Sequence, residues 1–152
     1  TGIAQIAGKI LMKLIVFRHN WGLPDLPWEL KFQKIRQAGY SGIETGVLKT
    51  ADYPQFQELL IKYNLLFLPQ IYTKGLTIED HLASYREQLE AMRQFQPIRV
   101  NCHSGSDAWT FDEAKQFYQK ALQIENDVGL RVCHETHRGR SFYNPWTTGR
   151  LL

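Results

Sequence analysis

Apolar residues recur along this chain in short blocks that alternate with amphipathic stretches. The blocks have the length and the β-branched and aromatic content of buried strands, and they cover residues 11–17, 40–45, 65–72, 98–103 and 130–135. Between them lie four stretches in which apolar residues recur at helical spacing. Strict alternation of strand and helix predicts a parallel sheet with right-handed crossover connections.

Each helical stretch also has a recognisable start signal. These signals are Pro27, Asp52 with Pro54, Thr77, and Thr110 with Glu113 at the spacing of a capping box. Residues 145–152 have the start of a fifth helix, with Pro145 at its first position. The apolar faces of these helices are expected to pack against the sheet.

Two architectures fit this alternation, an open doubly wound sheet and the first strands of a (β/α)8 barrel. Successive strand residues point to opposite faces, and four strands place polar residues on one face near their C-terminal ends. These residues are Glu44, Gln70 with Tyr72, Asn101 with His103, and Glu135. An open sheet would bury such groups under helices, whereas the mouth of a barrel can keep them wet. The pattern favours a TIM barrel of which about five strands and four helices are present.

Composition narrows the class of protein further. The 152 residues make one domain, and 18 basic against 15 acidic side chains give a net charge of +3 without a basic run, so a nucleic-acid partner is not expected. No apolar stretch approaches the roughly 20 residues that cross a bilayer. Both cysteines, Cys102 and Cys133, fall in predicted strands, as expected for two buried thiols of a cytoplasmic protein.

Glu135 is the leading candidate for a catalytic residue. A carboxylate at the mouth of a barrel can hold a divalent cation or take a proton from a carbon next to a carbonyl group. The structural alternative is an ion pair with Arg138 or Arg140. His134 precedes it, should point at the helices, and is expected to be structural.

Five further side chains complete the candidate site. His103 could be a metal ligand, a proton donor to a substrate oxygen, or a structural histidine. Glu44 could bind substrate or cap a loop. His137 and Arg138 could bind an anionic or hydroxylated substrate or fix their loop, and Trp21 could wall a pocket or pack in the core or in a lid.

Three segments together resemble a known family. They are Ala-Gly-Tyr-Ser-Gly-Ile-Glu at 38–44, Asn-Cys-His-Ser-Gly at 101–105 and His-Glu-Thr-His-Arg-Gly-Arg at 134–140. In this order and spacing they resemble the sugar phosphate isomerase/epimerase group, the xylose isomerase-like TIM barrels that also include endonuclease IV relatives. The resemblance covers the chain from about Leu11 onward.

This resemblance implies roles for three of the candidates. Glu135 would be a divalent-metal ligand beside the reacting carbon, His103 a ligand or substrate contact, and Glu44 a residue near the sugar. The implied cofactor is Mn, Mg, Co or Zn. The implied function is a metal-dependent isomerase or epimerase that acts on a small sugar or sugar phosphate by proton transfer through an enediolate.

Two other functions stay open at this point. One is an endonuclease IV-like DNA repair enzyme, and the other is a noncatalytic half-barrel that binds a ligand or associates with itself, as a homo-oligomer. A complete barrel needs about 250 residues. We therefore expect residues 1–152 to be the N-terminal portion of a truncated barrel, which lacks the Asp, His and second Glu of the family's metal site. Activity of this chain alone is left open.

Overall fold

The computed structural model describes residues 13–23 and 26–152, and in them strands and helices alternate from end to end. The elements are β1 (Phe17–His19), α1 (Trp28–Gln37), β2 (Gly42–Gly46), a short 3-10 helix (Thr50–Asp52), α2 (Tyr53–Tyr63), β3 (Leu66–Tyr72), α3 (Ile78–Arg93), β4 (Val100–His103), α4 (Phe111–Val128), β5 (Val132–His134) and α5 (Pro145–Leu151). The fifth helix, for which the sequence shows only a start, is thus formed.

The five strands make one parallel sheet in which each strand pairs with the next along the chain, in the order β1-β2-β3-β4-β5. A doubly wound sheet reverses its strand order at a switch point. Such a reversal does not occur among the described strands. Sequential parallel pairing is the arrangement of a barrel wall, as the polar face predicted.

The first strand lies later in the sequence than predicted. The predicted block covered residues 11–17, of which Leu11 and Met12 lie outside the described residues. The strand spans Phe17–His19 because its partner begins at Gly42, and pairing joins Phe17 to Gly42 and His19 to Glu44. Apolarity alone does not show where pairing begins on a strand with one partner.

The two long helices begin as their sequences predict. Thr77 accepts a hydrogen bond from the backbone N–H of Asp80, whose carboxylate accepts one from the backbone N–H of Thr77. Thr110 and Glu113 form the same capping box at the start of α4. These reciprocal bonds satisfy backbone N–H groups that have no partner within the helix.

The core lies between the helices and the outer face of the sheet. Phe56 is fully buried and meets Phe32, Phe67 and Phe95 edge to face. The expected helix faces therefore serve packing, although Leu122 is 58% exposed. No helix in the described part of the chain is long and apolar enough to cross a membrane.

The expectation of two buried thiols is half wrong. Cys102 is buried under the helices, whereas Cys133 is exposed. Cys133 stands opposite Asn101 in the register and belongs to β5, which pairs only with β4 in the described residues. Because Cys133 lies on the inner face and no further described strand pairs with β5, its thiol is open to solvent.

We predict that Gly42→Ala destabilises the fold, whereas Gly46→Ala on the same strand does not. A Cβ at residue 42 would collide with the Leu66 carbonyl oxygen and the Phe17 ring, while at residue 46 the nearest atoms lie 4.0 Å away. Overpacking of this kind costs about 1–3 kcal/mol, against about 0.5 kcal/mol or less at the open position. Urea denaturation of the two variants checks this, and equal losses would contradict it.

Candidate active site

Side chains from all five strand ends meet on the inner face of the sheet. They form one hydrogen-bonded group, which we call the strand-end cluster: His19, Glu44, Gln70, Asn101, His103 and Glu135. In parallel strands the carboxyl ends share one edge of the sheet, which is where α/β proteins build their sites. The face predicted from strand alternation is therefore the face on which these groups lie.

Asn101 joins the two carboxylates of the cluster. Its Nδ2 donates to Glu135 Oε2 at 2.6 Å and to Glu44 Oε1 at 3.0 Å. The side-chain amide has two N–H donors, and both are used here. Two like charges are thereby held near each other, with a donor between them to offset their repulsion.

His103 is the second partner of Glu135. Its Nε2 lies 2.9 Å from Glu135 Oε2, and the His103 side chain is 7% exposed against 36% for Glu135. The Gln70 amide links His103 to His19. Its Nε2 lies 3.1 Å from His103 Nε2, and its Oε1 lies 3.2 Å from His19 Nε2. The carboxylate is thus the more accessible member of a fixed pair.

The surroundings set the charge states of this pair. Partial burial raises the pKa of Glu135, but the hydrogen bond from Asn101 and the nearby His103 ring outweigh burial, so its pKa lies below the ordinary value. Burial lowers the pKa of His103, and the attraction of Glu135 does not fully offset this. At neutral pH the pair is therefore an ionised carboxylate beside a neutral imidazole.

Tyr72 and His137 border the pair on one side. The Tyr72 hydroxyl donates to Gln70 Oε1, and its ring centroid lies 4.7 Å from that of His103. Burial, followed by the charges of Glu135 and Glu44, raises the pKa of Tyr72, which keeps its hydroxyl protonated. The His137 ring lies 4.4 Å from the His103 ring. These groups offer polar atoms to a ligand beside Glu135.

Two of the expected substrate-binding residues lie at the margin of the cluster. Trp21 is 84% exposed, so it does not pack in the core, and its backbone N–H donates to His19 Nδ1 at 2.7 Å. Arg138 is exposed and lines, with Thr136 and His137, an open cavity of about 540 Å³. Trp21 reaches the cluster only through its backbone N–H, and the side chains of both residues are free to contact a ligand.

The alternative considered from the sequence, an ion pair between Glu135 and Arg138 or Arg140, does not form. In the described residues Glu135 bonds to Asn101 and His103, and Arg140 instead donates from Nη1 to the carbonyl oxygen of Thr73 at 2.8 Å. Arg140 therefore ties the loop after β5 to the loop after β3. This leaves the Glu135 carboxylate without a guanidinium partner and available to a ligand.

A divalent cation would need more ligands than the described residues bring together. Glu135 and His103 meet, but no group of three His, Cys, Asp or Glu side chains in residues 13–23 and 26–152 is arranged to hold a metal ion. Glu44 is turned to Asn101 instead. Because tetrahedral and octahedral sites take three or more protein ligands or substrate oxygens, this pair does not by itself fit a cation.

Two solved structures share this fold. The 3-keto-D-glucoside 4-epimerase YcjR from E. coli matches with a TM-score of 0.62 and 15% identity, over 84% of this chain and 58% of the epimerase. An AP endonuclease of family 2 from Brucella melitensis matches with a TM-score of 0.63 and 14% identity, over 91% of this chain and 65% of the endonuclease. No family profile and no curated protein matches the sequence.

At these identities the likeness shows the fold alone. The fold is a partial TIM barrel, in which consecutive parallel strands alternate with helices. The chain spans less than two thirds of the length of either solved structure. The two solved structures are a 3-keto-D-glucoside 4-epimerase and an AP endonuclease, so the fold occurs in both an epimerase and an endonuclease.

Three residues of the cluster were not chosen as site residues from the sequence. His19 is the last residue of β1, whereas Gln70 and Asn101 lie two residues before the ends of β3 and β4. Strand alternation placed Gln70 and Asn101 on the inner face. Their spacing gave no sign that Asn101 would bridge carboxylates from β2 and β5, because that contact depends on the curvature of the sheet. A polar residue on the inner face of several neighbouring strands was the available signal.

We predict that Asn101→Ala raises the pKa of Glu135 toward the ordinary value. The variant removes the donor that favours the ionised form. The stabilising effect of a lowered carboxyl pKa is present above the unfolded pKa of about 4.3 and is lost as the pH falls through the folded pKa. The stability advantage of the wild type over the variant should therefore shrink in acid.

The carboxyl ¹³C shift of Glu135, followed by NMR against pH, measures this change directly. Asn126→Ala on the exposed side of α4 is the matched control and should leave the titration unchanged. An unchanged Glu135 titration in Asn101→Ala would show that the amide does not stabilise the ionised form.

Proposed function

We propose that the strand-end cluster moves a proton at a carbon next to the carbonyl group of a small sugar or sugar phosphate, as an isomerase or epimerase. The observation that carries this proposal is the pairing of an ionised Glu135 with a neutral His103 at 2.9 Å. A carboxylate base beside a neutral imidazole is an arrangement suited to enolisation.

Glu135 is the group that would remove the proton. It is ionised at neutral pH and is the more exposed member of the pair, so a substrate can reach its carboxylate. Its second carboxylate oxygen, Oε1, accepts no hydrogen bond within the described residues. This oxygen can therefore approach a substrate C–H while Oε2 stays held by Asn101 and His103.

His103 would donate to the substrate oxygen once Glu135 has taken up the substrate proton. A neutral imidazole carries one N–H, which before the transfer faces Glu135 Oε2 at 2.9 Å. A protonated Glu135 no longer needs this donor, so the N–H can turn to the oxygen of the enediolate and stabilise its negative charge. The Tyr72 ring lies against the His103 ring, and the Tyr72 hydroxyl stays protonated.

Glu44, His137, Arg138 and Trp21 are the proposed substrate contacts. Glu44 presents a second carboxylate, which can accept hydrogen bonds from sugar hydroxyls. Arg138 and His137 line a cavity between the loop after β5 and α5, and the His137 ring also lies against the His103 ring. Trp21 offers an exposed aromatic face near His19, and such a face can pack against the C–H groups of a sugar ring.

We predict that Glu135→Gln abolishes deuterium exchange at the reacting carbon. The amide has the shape of the carboxylate but cannot take a proton, and the loss of a general base typically costs 10²–10⁴-fold. The measurement is NMR of aldoses, ketoses and keto-glucosides, with and without phosphate, in D₂O with the intact protein that contains this chain.

Glu58→Gln on the exposed side of α2 is the control and should exchange as the wild type does. Exchange that survives in a folded Glu135→Gln variant would remove Glu135 from the proposal. Nicking of a duplex with an abasic site, without exchange on any sugar, would favour a DNA repair enzyme. A compact self-associated species in sedimentation, with neither activity, would favour a noncatalytic half-barrel.

We also propose that a divalent cation is required. Glu135 and His103 cannot complete its ligand set by themselves, so further ligands must join them. We predict that dialysis against a chelator stops exchange and that one of Mn, Mg, Co or Zn restores it. Full exchange after removal of metal, verified by elemental analysis, would show that the cation is not needed.

A further inference from the structure

A second polar network lies behind the strand ends, on the helix side of the sheet. His134 Nδ1 lies 2.9 Å from Ser104 Oγ, and His134 Nε2 lies 3.3 Å from Glu125 Oε1. Ser104 also meets the Tyr118 hydroxyl at 2.9 Å, and Tyr85 donates to Glu125 at 2.8 Å. The network joins β4 and β5 to helices α3 and α4.

Two residues of this network that contact each other, Ser104 and His134, are sequence neighbours of His103 and Glu135. Ser104 follows His103 directly, and His134 precedes Glu135 directly. Because alternate residues point to opposite faces, the His103–Glu135 contact lies on the inner face and the Ser104–His134 contact on the outer face. The two strands are therefore joined by side chains on both faces at the same level. We call the rear contact the Ser104–His134 clasp.

Burial makes the clasp specific in its geometry. Ser104 is 1% exposed, and the side chains of His134 and Glu125 are 14% and 13% exposed. The Tyr118 ring packs edge to face on His134 and burial raises the pKa of Tyr118 to about 12, so its hydroxyl stays protonated. A dry polar network that satisfies its members admits few arrangements. The clasp thus holds the backbone from which His103 and Glu135 extend.

We infer that His134 is a positioning residue, which sets the distance between His103 and Glu135 through its contact with Ser104. The expected loss of rate rests on the proposed function, whereas the expected change in the His103–Glu135 contact does not. Loss of the clasp lets the ends of β4 and β5 shift relative to each other. A displacement of about 1 Å between reacting groups can lower a rate by roughly 10²-fold.

Two substitutions at one position separate the two contacts of His134. His134→Asn keeps a polar atom near the place of Nδ1, which faces Ser104. His134→Gln keeps one near the place of Nε2, which faces Glu125. If the clasp positions the pair, His134→Asn should retain exchange within about threefold of the wild type, whereas His134→Gln should lose roughly tenfold to 10²-fold in turnover with little change in KM.

The direct readout is the ¹⁵N signal of His103 Nε2 at one neutral pH, which reports its hydrogen bond to Glu135 without any substrate. His134→Gln should shift this signal and His134→Asn should leave it in place. Tyr85→Phe, which removes one donor from Glu125 and leaves the clasp intact, is the control and should also leave it in place.

Ser104→Ala and Ser104→Thr test the same contact from its other side, should a His134 variant not fold. Ser104→Ala should behave as His134→Gln does, and the hydroxyl of Ser104→Thr should restore the signal. An unmoved His103 signal in folded Ser104→Ala and His134→Gln variants would overturn the inference. If no sugar exchanges, the proposed function fails, while the His103 signal still decides whether the clasp positions the pair.

Discussion

Parallel pairing of consecutive strands is the constraint on which the site depends. Because β1 to β5 run in one direction and pair in chain order, their carboxyl ends lie at one edge. Residues in register on neighbouring strands point to the same face, so His19 stands beside Glu44 and Gln70 beside Asn101. The helices between the strands cover the outer face. The polar side chains therefore meet on the inner face, where water and ligands can reach them.

Hydrogen bonds then decide what this group can do. Partial burial of an unpaired carboxylate favours its neutral form, and a second carboxylate nearby disfavours the ionised form of the first. Asn101 reverses both tendencies for Glu135, because it gives one N–H to each carboxylate. The neighbouring imidazole stays neutral because it is buried. A base and a hydrogen-bond donor thus coexist within 2.9 Å at neutral pH.

Local signals predicted most of the fold and three members of the strand-end cluster. Capping residues Thr77 and Thr110 located the helices because a cap depends on neighbours within one turn. The alternation of side chains along a strand placed Glu44, Glu135 and His103 on the inner face. The start of β1 and the exposure of Cys133 depend on which strands pair, and the bridging role of Asn101 depends on the approach of β2 to β5. None of these three features can be derived from spacing along the chain.

The two cysteines differ in a way that makes the inner face accessible to chemistry. Burial raises the pKa of the Cys102 thiol, which faces the helices, whereas Cys133 is open on the inner face of β5. A maleimide fluorophore or a nitroxide would therefore attach to Cys133 in the native sequence, without any engineered residue. Since Cys133 stands in register with Asn101, the label would lie two residues before Glu135 on the same face and would sense whatever enters there.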